Sequence, residues 1–231
     1  MNLKVYTILF FSFNPIFGQT YHEGNILELI KQYLPNNPII LEAGAHRGED
    51  TKKMSICWPK SKIYAFEPGP VAYRELQEKT NNLLNVNCYP YALSDKAGKS
   101  DFYICTNGTS ASSLLPPKPI LAPYLFFLEP PIQVDCITID EWATKNNVSH
   151  IDFMWLDMEG AELKALQASP IILSTLKVIY MEVNYQEFRE GNCFYNEVKD
   201  WLEPQGFKEV WNHSWVVGEL DWQGNILFVR Q

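Results

Sequence analysis

Residues 39–50, IILEAGAHRGED, join an apolar run to a loop that contains two glycines. The run ends on Glu42, and Gly44 and Gly48 are followed by a polar stretch that is typical of a helix start. This order predicts a strand, a glycine turn and a helix. Because glycine carries no Cβ, such a turn at the carboxyl end of a parallel strand lets the backbone at Gly44, Ala45 and Gly48 approach a nucleotide-like cofactor closely.

The spacing of the glycines bears on which cofactor the loop binds. The pattern is Gly-x-x-x-Gly rather than the dinucleotide fingerprint Gly-x-Gly-x-x-Gly, and the acidic Glu42 precedes the glycines. S-adenosylmethionine suits this loop better, because it has no phosphate and its ammonium and sulfonium groups favour nearby carboxylates. A nicotinamide-dependent oxidoreductase and a non-enzymatic cofactor-binding scaffold are the alternatives, and a tight turn without any ligand also accounts for the glycines.

A second apolar run, in KIYAFEPGP, ends on Glu67 before a Pro-Gly-Pro stop. An acidic side chain at the end of the second strand of a doubly wound sheet accepts hydrogen bonds from both ribose hydroxyls of a nucleotide. We therefore predict that Glu67 contacts the ribose of the cofactor. The alternative is a solvated strand end.

Two more groups of acids follow apolar runs further along the chain. WLDMEGAELKAL contains Asp157 and Glu159, which repel one another unless a cation or a donor shares their site, so a functional role is indicated. Glu162 lies in the first turn of the next predicted helix, where helix capping is its leading interpretation. In YMEVNY, Glu182 and Asn184 are two residues apart and point to the same side of an extended strand.

These side chains supply candidate bases and metal ligands. An alcohol acceptor needs a base that removes its proton, and His46, Asp157 and Glu182 are the candidates. A loop contact for His46 and a solvated strand end for Glu182 are the alternatives. A variant of the hypothesis adds Mg²⁺ held by the hard oxygen ligands of Asp157, Glu182 and Asn184. The four histidines and five cysteines are scattered, so no histidine metal site, zinc site or disulfide framework is indicated.

Strand-like and helix-like segments alternate along most of the chain. Strands are predicted at 38–42, 62–67, 86–91, 134–138, 151–157, 177–183, 207–212 and 225–229, and helices at 21–34, 49–57, 71–81, 139–145, from 160 or 161 onward, and 194–202. This alternation predicts an α/β fold with a parallel sheet, helices on both faces and an antiparallel ending. The carboxyl ends of the parallel strands, and with them the acids, then lie at one edge of the sheet.

Two segments interrupt the alternation. Residues 92–104 contain a Lys-Ala-Gly turn and are predicted to form a hairpin-like excursion. Residues 106–133 are rich in proline and aromatic residues and suit no regular element, which is typical of a lid or a binding loop, a rigid surface loop being the alternative. We predict a single domain over residues 21–231 with a Pro-rich insertion at 106–133.

Composition limits the partners of this protein. A chain of 231 residues with 46% hydrophobic content is long enough for one domain with a substantial core. The net charge of −8 and the absence of a basic run argue against nucleic acid as a partner. A small-molecule or glycan acceptor is expected instead.

The N-terminal residues 1–20 form a hydrophobic segment in which Lys4 precedes a short apolar run. The run is shorter than the roughly 20 residues that span a bilayer. It is either a secretory signal or membrane-surface segment, or an extension that packs on the domain. The unpaired cysteines and the supply of S-adenosylmethionine favour the cytoplasm, while this segment leaves secretion or weak membrane association open.

An ordered set of motifs resembles a known family. The pieces are LEAGAHRGED, IYAFEPGP, NVNCYPYALSDKAGKSDFYI, VDCITIDEW and WLDMEGAELKAL followed by IYMEVNY. Together they resemble the FkbM family of S-adenosylmethionine-dependent methyltransferases. The resemblance implies a Rossmann-like class I methyltransferase fold, with a seven-stranded, mostly parallel sheet and an antiparallel last strand.

The same resemblance implies methyl transfer, usually to an oxygen, with a small molecule, a sugar or a glycolipid as the acceptor. The implied cofactor contacts are Glu42, Gly44, Gly48 and Glu67, and the segment 92–95, with Ser94 and Asp95, would flank the adenine. Asp157 is predicted as a further cofactor contact. Two positions depart from the family pattern. Glu42 stands where Asp is commoner, and Trp155 stands where many members carry Lys, so no role of that lysine is carried over.

Overall fold

The fold is built on strands whose ends carry the acids described above. The structure, a computed structural model, describes residues 23–217 and 220–231. The strands are β1 (Ile39–Ala43), β2 (Lys62–Phe66), β3 (Val86–Tyr89), β4 (Ala92–Leu93), β5 (Gly98–Phe102), β6 (Ile132–Ile137), β7 (Phe153–Leu156), β8 (Val178–Asn184), β9 (Phe207–Val217) and β10 (Leu220–Arg230). The helices are α1 (Glu23–Lys31), α2 (Glu49–Cys57), α3 (Pro70–Thr80), α4 (Ile139–Lys145), α5 (Glu162–Gln167), α6 (Pro170–Leu173) and α7 (Tyr195–Leu202).

Seven strands form the main sheet in the order β3-β2-β1-β7-β8-β10-β9. The pairs β1–β2, β2–β3, β1–β7 and β7–β8 are parallel, whereas β10 runs antiparallel to both β8 and β9. The predicted seven-stranded, mostly parallel sheet with an antiparallel last strand is therefore confirmed. The order reverses between β1 and β7, and open α/β sheets bind ligands at such a point.

Helices cover both faces of the main sheet. On one face, Ile26 and Ile30 of α1 and Met54 of α2 pack against Ile40 and Phe153. The other face carries α4 to α7, whose buried side chains pack on alternate strand residues; these include Trp142, Leu166, Ile172 and Val198. Because side chains alternate along a strand, each buried strand contributes apolar residues to both layers.

A second, three-stranded sheet corrects two of the sequence predictions. The two extended pieces within residues 92–104 do not pair as a hairpin, because β6 lies between them, parallel to β4 and antiparallel to β5. The predicted strand at 134–138 is β6 and belongs to this small sheet. The pairing with β6 buries Ala92 and Phe102 against Val134 and Cys136, which a hairpin between the two pieces would leave apart.

The Pro-rich insertion has more structure than predicted. It contains 3₁₀ turns at Thr109–Ala111 and Pro119–Leu121, and β6 begins inside it at Ile132. Leu121 and Leu125 bury against Cys105 and Phe188, so the insertion has a small apolar cluster of its own. The segment is thus packed down on the domain.

The remaining differences lie at the last two strands and at one helix. β9 and β10 each cover 11 residues and are longer than the strands predicted at 207–212 and 225–229. The short helix α6 was not predicted, because four residues are too few to show helical periodicity. Within residues 23–217 and 220–231, no helix combines the length and the apolar character that crossing a membrane requires. The hydrophobic segment predicted at 1–20 lies outside the described residues.

Candidate active site

A cleft opens at the carboxyl ends of β1, β2 and β7, where the sheet order reverses. Gly44, His46, Glu67 and Asp157 line it together, although they come from three separate parts of the chain. Phe66, Leu93, Phe102 and Leu114 supply apolar walls, and Thr109, Ser110 and Ser112 of the insertion complete the lining. The structure therefore brings strand-end acids and a loop histidine into one site.

Close packing explains the two glycines of the first loop. Gly44 has a φ of +80°, and a Cβ there would lie 1.7 Å from the backbone carbonyl oxygen of Asp157. Gly48 has a φ of +82° and precedes α2, and a Cβ there would lie 2.8 Å from Leu76 Cδ1. The N–H groups of Gly44 and Ala45 both donate to the Phe66 carbonyl, at 3.1 and 2.9 Å. These two N–H groups therefore already have hydrogen-bond acceptors within the protein.

Glu42 lies beneath this loop and away from the lining of the cleft. Its side chain is 2% exposed and accepts a 2.5 Å hydrogen bond from Thr51 Oγ1 on α2. Burial raises the pKa of Glu42 to about 8. Ala45 and Gly48, which are also buried, support the same loop. Direct contact of these three residues with a cofactor remains a prediction.

Glu67 lies on the cleft, and the local backbone holds its carboxylate in place. Its Oε2 accepts a 2.9 Å hydrogen bond from the His46 N–H, and its Oε1 accepts a 2.6 Å bond from the Gly69 N–H. Burial raises its pKa to about 7, and these two backbone bonds oppose the rise. Each carboxylate oxygen has a second lone pair, so the side chain can still accept hydrogen bonds from the hydroxyl groups of a ligand.

His46 connects the glycine loop to the insertion. It adopts a φ of +47°, and its Nε2 forms a 2.8 Å hydrogen bond with Thr109 Oγ1. Burial lowers the pKa of the His46 imidazole below its ordinary value, and the charge of Arg47 adds to the effect. The neutral form of the ring is therefore favoured.

Three carboxylates converge where β7 and β8 end. One oxygen from each of Asp157, Glu159 and Glu182 lies within 4.8 Å of the others, a spacing that could hold a cation. The guanidinium of Arg189 provides a positive charge beside them, with Nη2 at 3.2 Å from Glu159 Oε2. The adjacent acids therefore share their site with a cation from the protein itself. The magnesium set of Asp157, Glu182 and Asn184 remains a prediction.

The environment favours protonation of two members of this cluster. Asp157 is exposed to solvent at the floor of the cleft, yet protein surrounds it closely enough that loss of hydration raises its pKa well above the ordinary value. The charges of Glu159 and Glu162 raise it further. Burial likewise raises the pKa of Glu182, with the charges of Glu159 and Asp157 adding to it and Arg189 opposing. The proton-bound form of both carboxyl groups is therefore favoured relative to that of an exposed carboxylate.

Glu162 has a structural role. It is fully buried, and its two oxygens accept the N–H groups of Met158 and Gly160 at 2.6 and 3.0 Å. The side chain thus reaches back from the first turn of α5 to hold the loop that carries Asp157 and Glu159. This arrangement fits the capping interpretation drawn from its position in the sequence.

Glu182 and Asn184 do face the same side of β8. Gln223 of β10 donates through Nε2 to both, at 3.4 Å from Glu182 Oε2 and 3.1 Å from Asn184 Oδ1. Asn184 Nδ2 is buried and has no hydrogen-bond partner among the described residues.

Trp155, in the strand before the acids, packs against the Tyr180 ring with the ring centroids 4.2 Å apart.

The predicted adenine contacts lie just beyond the cleft. Ala92 and Leu93 belong to its lining, whereas Ser94 and Asp95, which follow them, do not. Ser94 Oγ instead donates to Asp95 Oδ1 at 3.1 Å in an exposed position. Contact between these two side chains and the adenine remains a prediction.

Sequence analysis missed three residues that complete the site: Thr109, Arg189 and Gln223. Arg189 lies 30 residues from Glu159, and Thr109 lies 63 residues from His46. No local pattern marked them, because each acts through a contact that exists only in the folded chain. Gln223 could have been found only from the register that sets β10 beside β8.

The chemistry of the cleft suits S-adenosylmethionine. Glu67 offers acceptor oxygens to ribose hydroxyls, Asp157 offers a carboxylate to an ammonium group, and Leu93 and Phe102 offer apolar walls to a purine. The fold and this site define an S-adenosylmethionine-dependent class I methyltransferase. The structure of magnesium protoporphyrin IX methyltransferase (ChlM) from Synechocystis PCC 6803 with bound S-adenosylmethionine has the same fold, with a TM-score of 0.51. The match covers 93% of this chain and 86% of that one, at 10% sequence identity.

The chain belongs to the FkbM methyltransferase family, since the model of the methyltransferase FkbM domain matches residues 42–209. The 2-O-methyltransferase NoeI of Sinorhizobium fredii is 28% identical over 173 residues, which cover 72% of this chain and 71% of NoeI. The hexuronic acid methyltransferase AglP of Haloferax volcanii is 23% identical over 70% of this chain and 62% of AglP. Family membership favours methyl transfer over the nicotinamide alternative.

Proposed function

We propose that this protein transfers the methyl group of S-adenosylmethionine to a hydroxyl oxygen, with a sugar hydroxyl of a small molecule or glycan as the leading acceptor. The observation that carries the proposal is the solvent-accessible Asp157 carboxylate at the floor of the cleft, with Glu182 beside it. A carboxylate in that position can receive the proton that an alcohol loses. The names of NoeI and AglP, a 2-O-methyltransferase and a hexuronic acid methyltransferase, support a sugar as the acceptor.

The cofactor side of the proposal rests on Glu67. The His46 and Gly69 amides orient its carboxylate, and we propose that it accepts hydrogen bonds from the two ribose hydroxyls. We assign the adenine to the apolar wall at Ala92 and Leu93, followed by Ser94 and Asp95, and the glycine loop from Gly44 to Gly48 to the methionine part. When bound, the cofactor supplies an electrophilic methyl group on a sulfonium.

Three side chains are proposed to handle the acceptor's proton. Asp157 is the first candidate because it lies on the cleft surface, and Glu182 is the second, with a carboxylate oxygen within 4.8 Å of one of Asp157. His46 is the third, and its hydrogen bond to Thr109 must break or shift before its Nε2 can act. Most of the remaining rate enhancement is expected from alignment of the acceptor oxygen and exclusion of water.

Partner and compartment follow from the same proposal. The net charge of −8 is repulsive toward a phosphate backbone, so a nucleic acid acceptor is not proposed. We place the reaction in the cytoplasm, where the cofactor is supplied. Weak membrane association through residues 1–20 is the alternative.

The test uses the full chain, radiolabelled S-adenosylmethionine and separate fractions of free sugars, glycans, glycolipids and small metabolites. We expect label in a sugar-containing fraction, and mild base should not release it, because an ether is stable where a methyl ester is hydrolysed. Asp157→Asn should lose this transfer while the exposed Glu78→Gln retains it. Calorimetry that detects cofactor binding without label in any fraction would support the scaffold alternative and contradict the proposal.

A further inference from the structure

Arg189 is a buried cation outside the set of residues that bind or react in the proposed function. Its side chain is 2% exposed, and its Nη2 donates both to Glu159 Oε2, at 3.2 Å, and to the carbonyl oxygen of Ala111. The guanidinium also lies over the Phe127 ring, with Cζ 5.6 Å from the ring centroid. Ala111 and Phe127 belong to the insertion, whereas Glu159 belongs to the loop after β7. One side chain therefore joins two separate parts of the site.

The hydrogen bonding of Arg189 is incomplete. Nη1 is buried and has no hydrogen-bond partner among the described residues. A buried donor without a partner is costly, so such groups call for an explanation. The guanidinium is therefore held in place by its two hydrogen bonds through Nη2 and by the Phe127 ring, and not by full use of its donors.

Glu159 is also held under strain. It has a φ of +56°, a left-handed backbone conformation that residues other than glycine rarely adopt. Such strain persists where surrounding contacts enforce it, and it is concentrated at functional sites. Two contacts act here: Arg189 binds the Glu159 side chain, and Ser113 Oγ of the insertion donates to the Glu159 carbonyl at 3.1 Å. Both tie the acidic loop to the insertion.

The insertion has two attachments that can be separated experimentally. Residues 109–114 form one wall of the cleft and are held by Arg189, by Ser113 and by the bond between Thr109 and His46. Residues 116–118 are held by backbone bonds, from Lys118 N–H to the Phe188 carbonyl at 2.8 Å and from Glu190 N–H to the Pro116 carbonyl at 2.9 Å, and by the ion pair between Lys118 Nζ and Glu187 Oε2 at 2.6 Å. Loss of the Arg189 side chain leaves these backbone bonds in place.

We infer that Arg189 is a positioning residue for methyl transfer, which holds residues 109–114 of the insertion against the acidic loop and so keeps the cleft in its binding shape. The inference rests on the proposed function for its kinetic consequence. Its structural consequence, local loosening of one half of the insertion, stands independently. Arg189 touches neither the reacting atoms nor the lining of the cleft.

The experiment compares Arg189→Met, which keeps the length of the apolar stem, with Arg189→Lys and with the control Lys118→Met, which removes the partly exposed ion pair to Glu187 at the other attachment. Hydrogen exchange should quicken about tenfold or more at the amides of Ala111, Ser112 and Ser113 in Arg189→Met, the effect of losing a charge-assisted hydrogen bond. Exchange at Lys118 and Glu190 should stay as in the parent chain. Lysine restores the charge but not the planar guanidinium. The exchange rates of Arg189→Lys should therefore lie between those of the parent chain and those of Arg189→Met.

The kinetic arm separates positioning from simple stabilisation. In Arg189→Met, KM for the cofactor should rise about tenfold while kcat at saturating cofactor changes less than threefold, and Lys118→Met should match the parent. The double variant Arg189→Met with Glu159→Gln should lose less free energy of transition-state stabilisation, measured from kcat/KM, than the two single variants lose together. The reason is that the two residues act as a pair.

Two results would overturn the inference: unchanged exchange at residues 111–113, or a lower melting temperature with both kinetic constants intact. If the parent chain bound no cofactor, the proposed function would fail. The exchange measurement would still decide the role of Arg189 in holding the insertion.

Discussion

The backbone carbonyl oxygen of Asp157 lies 1.7 Å from the position that a Cβ on Gly44 would occupy. The contact arises because β1 and β7 are neighbours and the Asp157 N–H donates to the Ala43 carbonyl at 2.9 Å. The sequence pattern predicts that Gly44 contacts a cofactor. The structure shows that a glycine is already required there by the close packing against the backbone of Asp157. It brings the two strand ends that carry the loop and the acid into contact.

Gly44→Ala should destabilise the protein strongly, because the new Cβ collides with backbone that cannot move alone. We expect a loss of about 3 kcal/mol or more, combining overpacking with the unfavourable φ. Gly98→Ala is the matched control, since Gly98 also has a positive φ but would have no atom within 4 Å of its Cβ. It should cost about 1–2 kcal/mol. Urea unfolding measures both, and equal losses would contradict the steric explanation.

Glu67→Gln should weaken cofactor binding about tenfold or more while leaving the fold in place. The glutamine amide turns an NH₂ toward one of the two backbone donors, His46 N–H or Gly69 N–H, that the carboxylate now accepts, and it has one acceptor oxygen left for two hydroxyls. Calorimetry with S-adenosylhomocysteine gives the affinity, and Glu78→Gln, an exposed helix position, serves as the control. An affinity equal to that of the parent chain would remove Glu67 from the proposed site.

Glu42 should make the stability of the protein depend on pH. Burial raises its pKa in the folded state to about 8 from an ordinary 4.5, so the folded state holds a proton that the unfolded state releases. The stabilisation is complete below about pH 4.5 and is lost as the pH rises to about 8, at up to about 1.4 kcal/mol per pH unit.

The comparison with Glu42→Gln removes the contribution of Glu42, whereas Glu67 and Glu162, whose pKa values are raised as well, remain in both proteins. The glutamine variant should gain stability relative to the parent between pH 5 and pH 8 and keep an acceptor for Thr51. Unfolding midpoints measured without cofactor across this range provide the test. Parallel curves for the two proteins would show that Glu42 is ionised in the folded state.

Asp157→Asn and Glu182→Gln should separate two roles of the acidic cluster. If Asp157 is the base, kcat falls about 10²- to 10⁴-fold with cofactor affinity retained. If it binds the ammonium group instead, cofactor affinity falls with it. Because the pKa of Asp157 is raised well above its ordinary 3.8, activity of the parent should decline with falling pH well above pH 4. Full activity of both variants at neutral pH would exclude the pair as bases.

Local sequence patterns were sufficient to locate the strands of the main sheet, although not the full length of β9 and β10 or the short helix α6. Alternating apolar segments located β1, β2, β7 and β8, and each ends near an acid, so the shared edge followed from the parallel topology. The second sheet was not predictable in the same way. Nothing in residues 92–104 indicates that β6, thirty residues later, will lie between the two extended pieces.

The sequence by itself determined the class of fold and the acids at the strand ends, because periodicity and strand-end chemistry are properties of neighbouring residues, and its resemblance to the FkbM family indicated the cofactor. Only the tertiary structure decided how these acids are used. It placed Glu42 against Thr51 beneath the loop, fixed Glu67 by two backbone amides, and set Arg189 beside Glu159. Burial and partners separated by many residues set charge and orientation, and both arise only when the chain has folded.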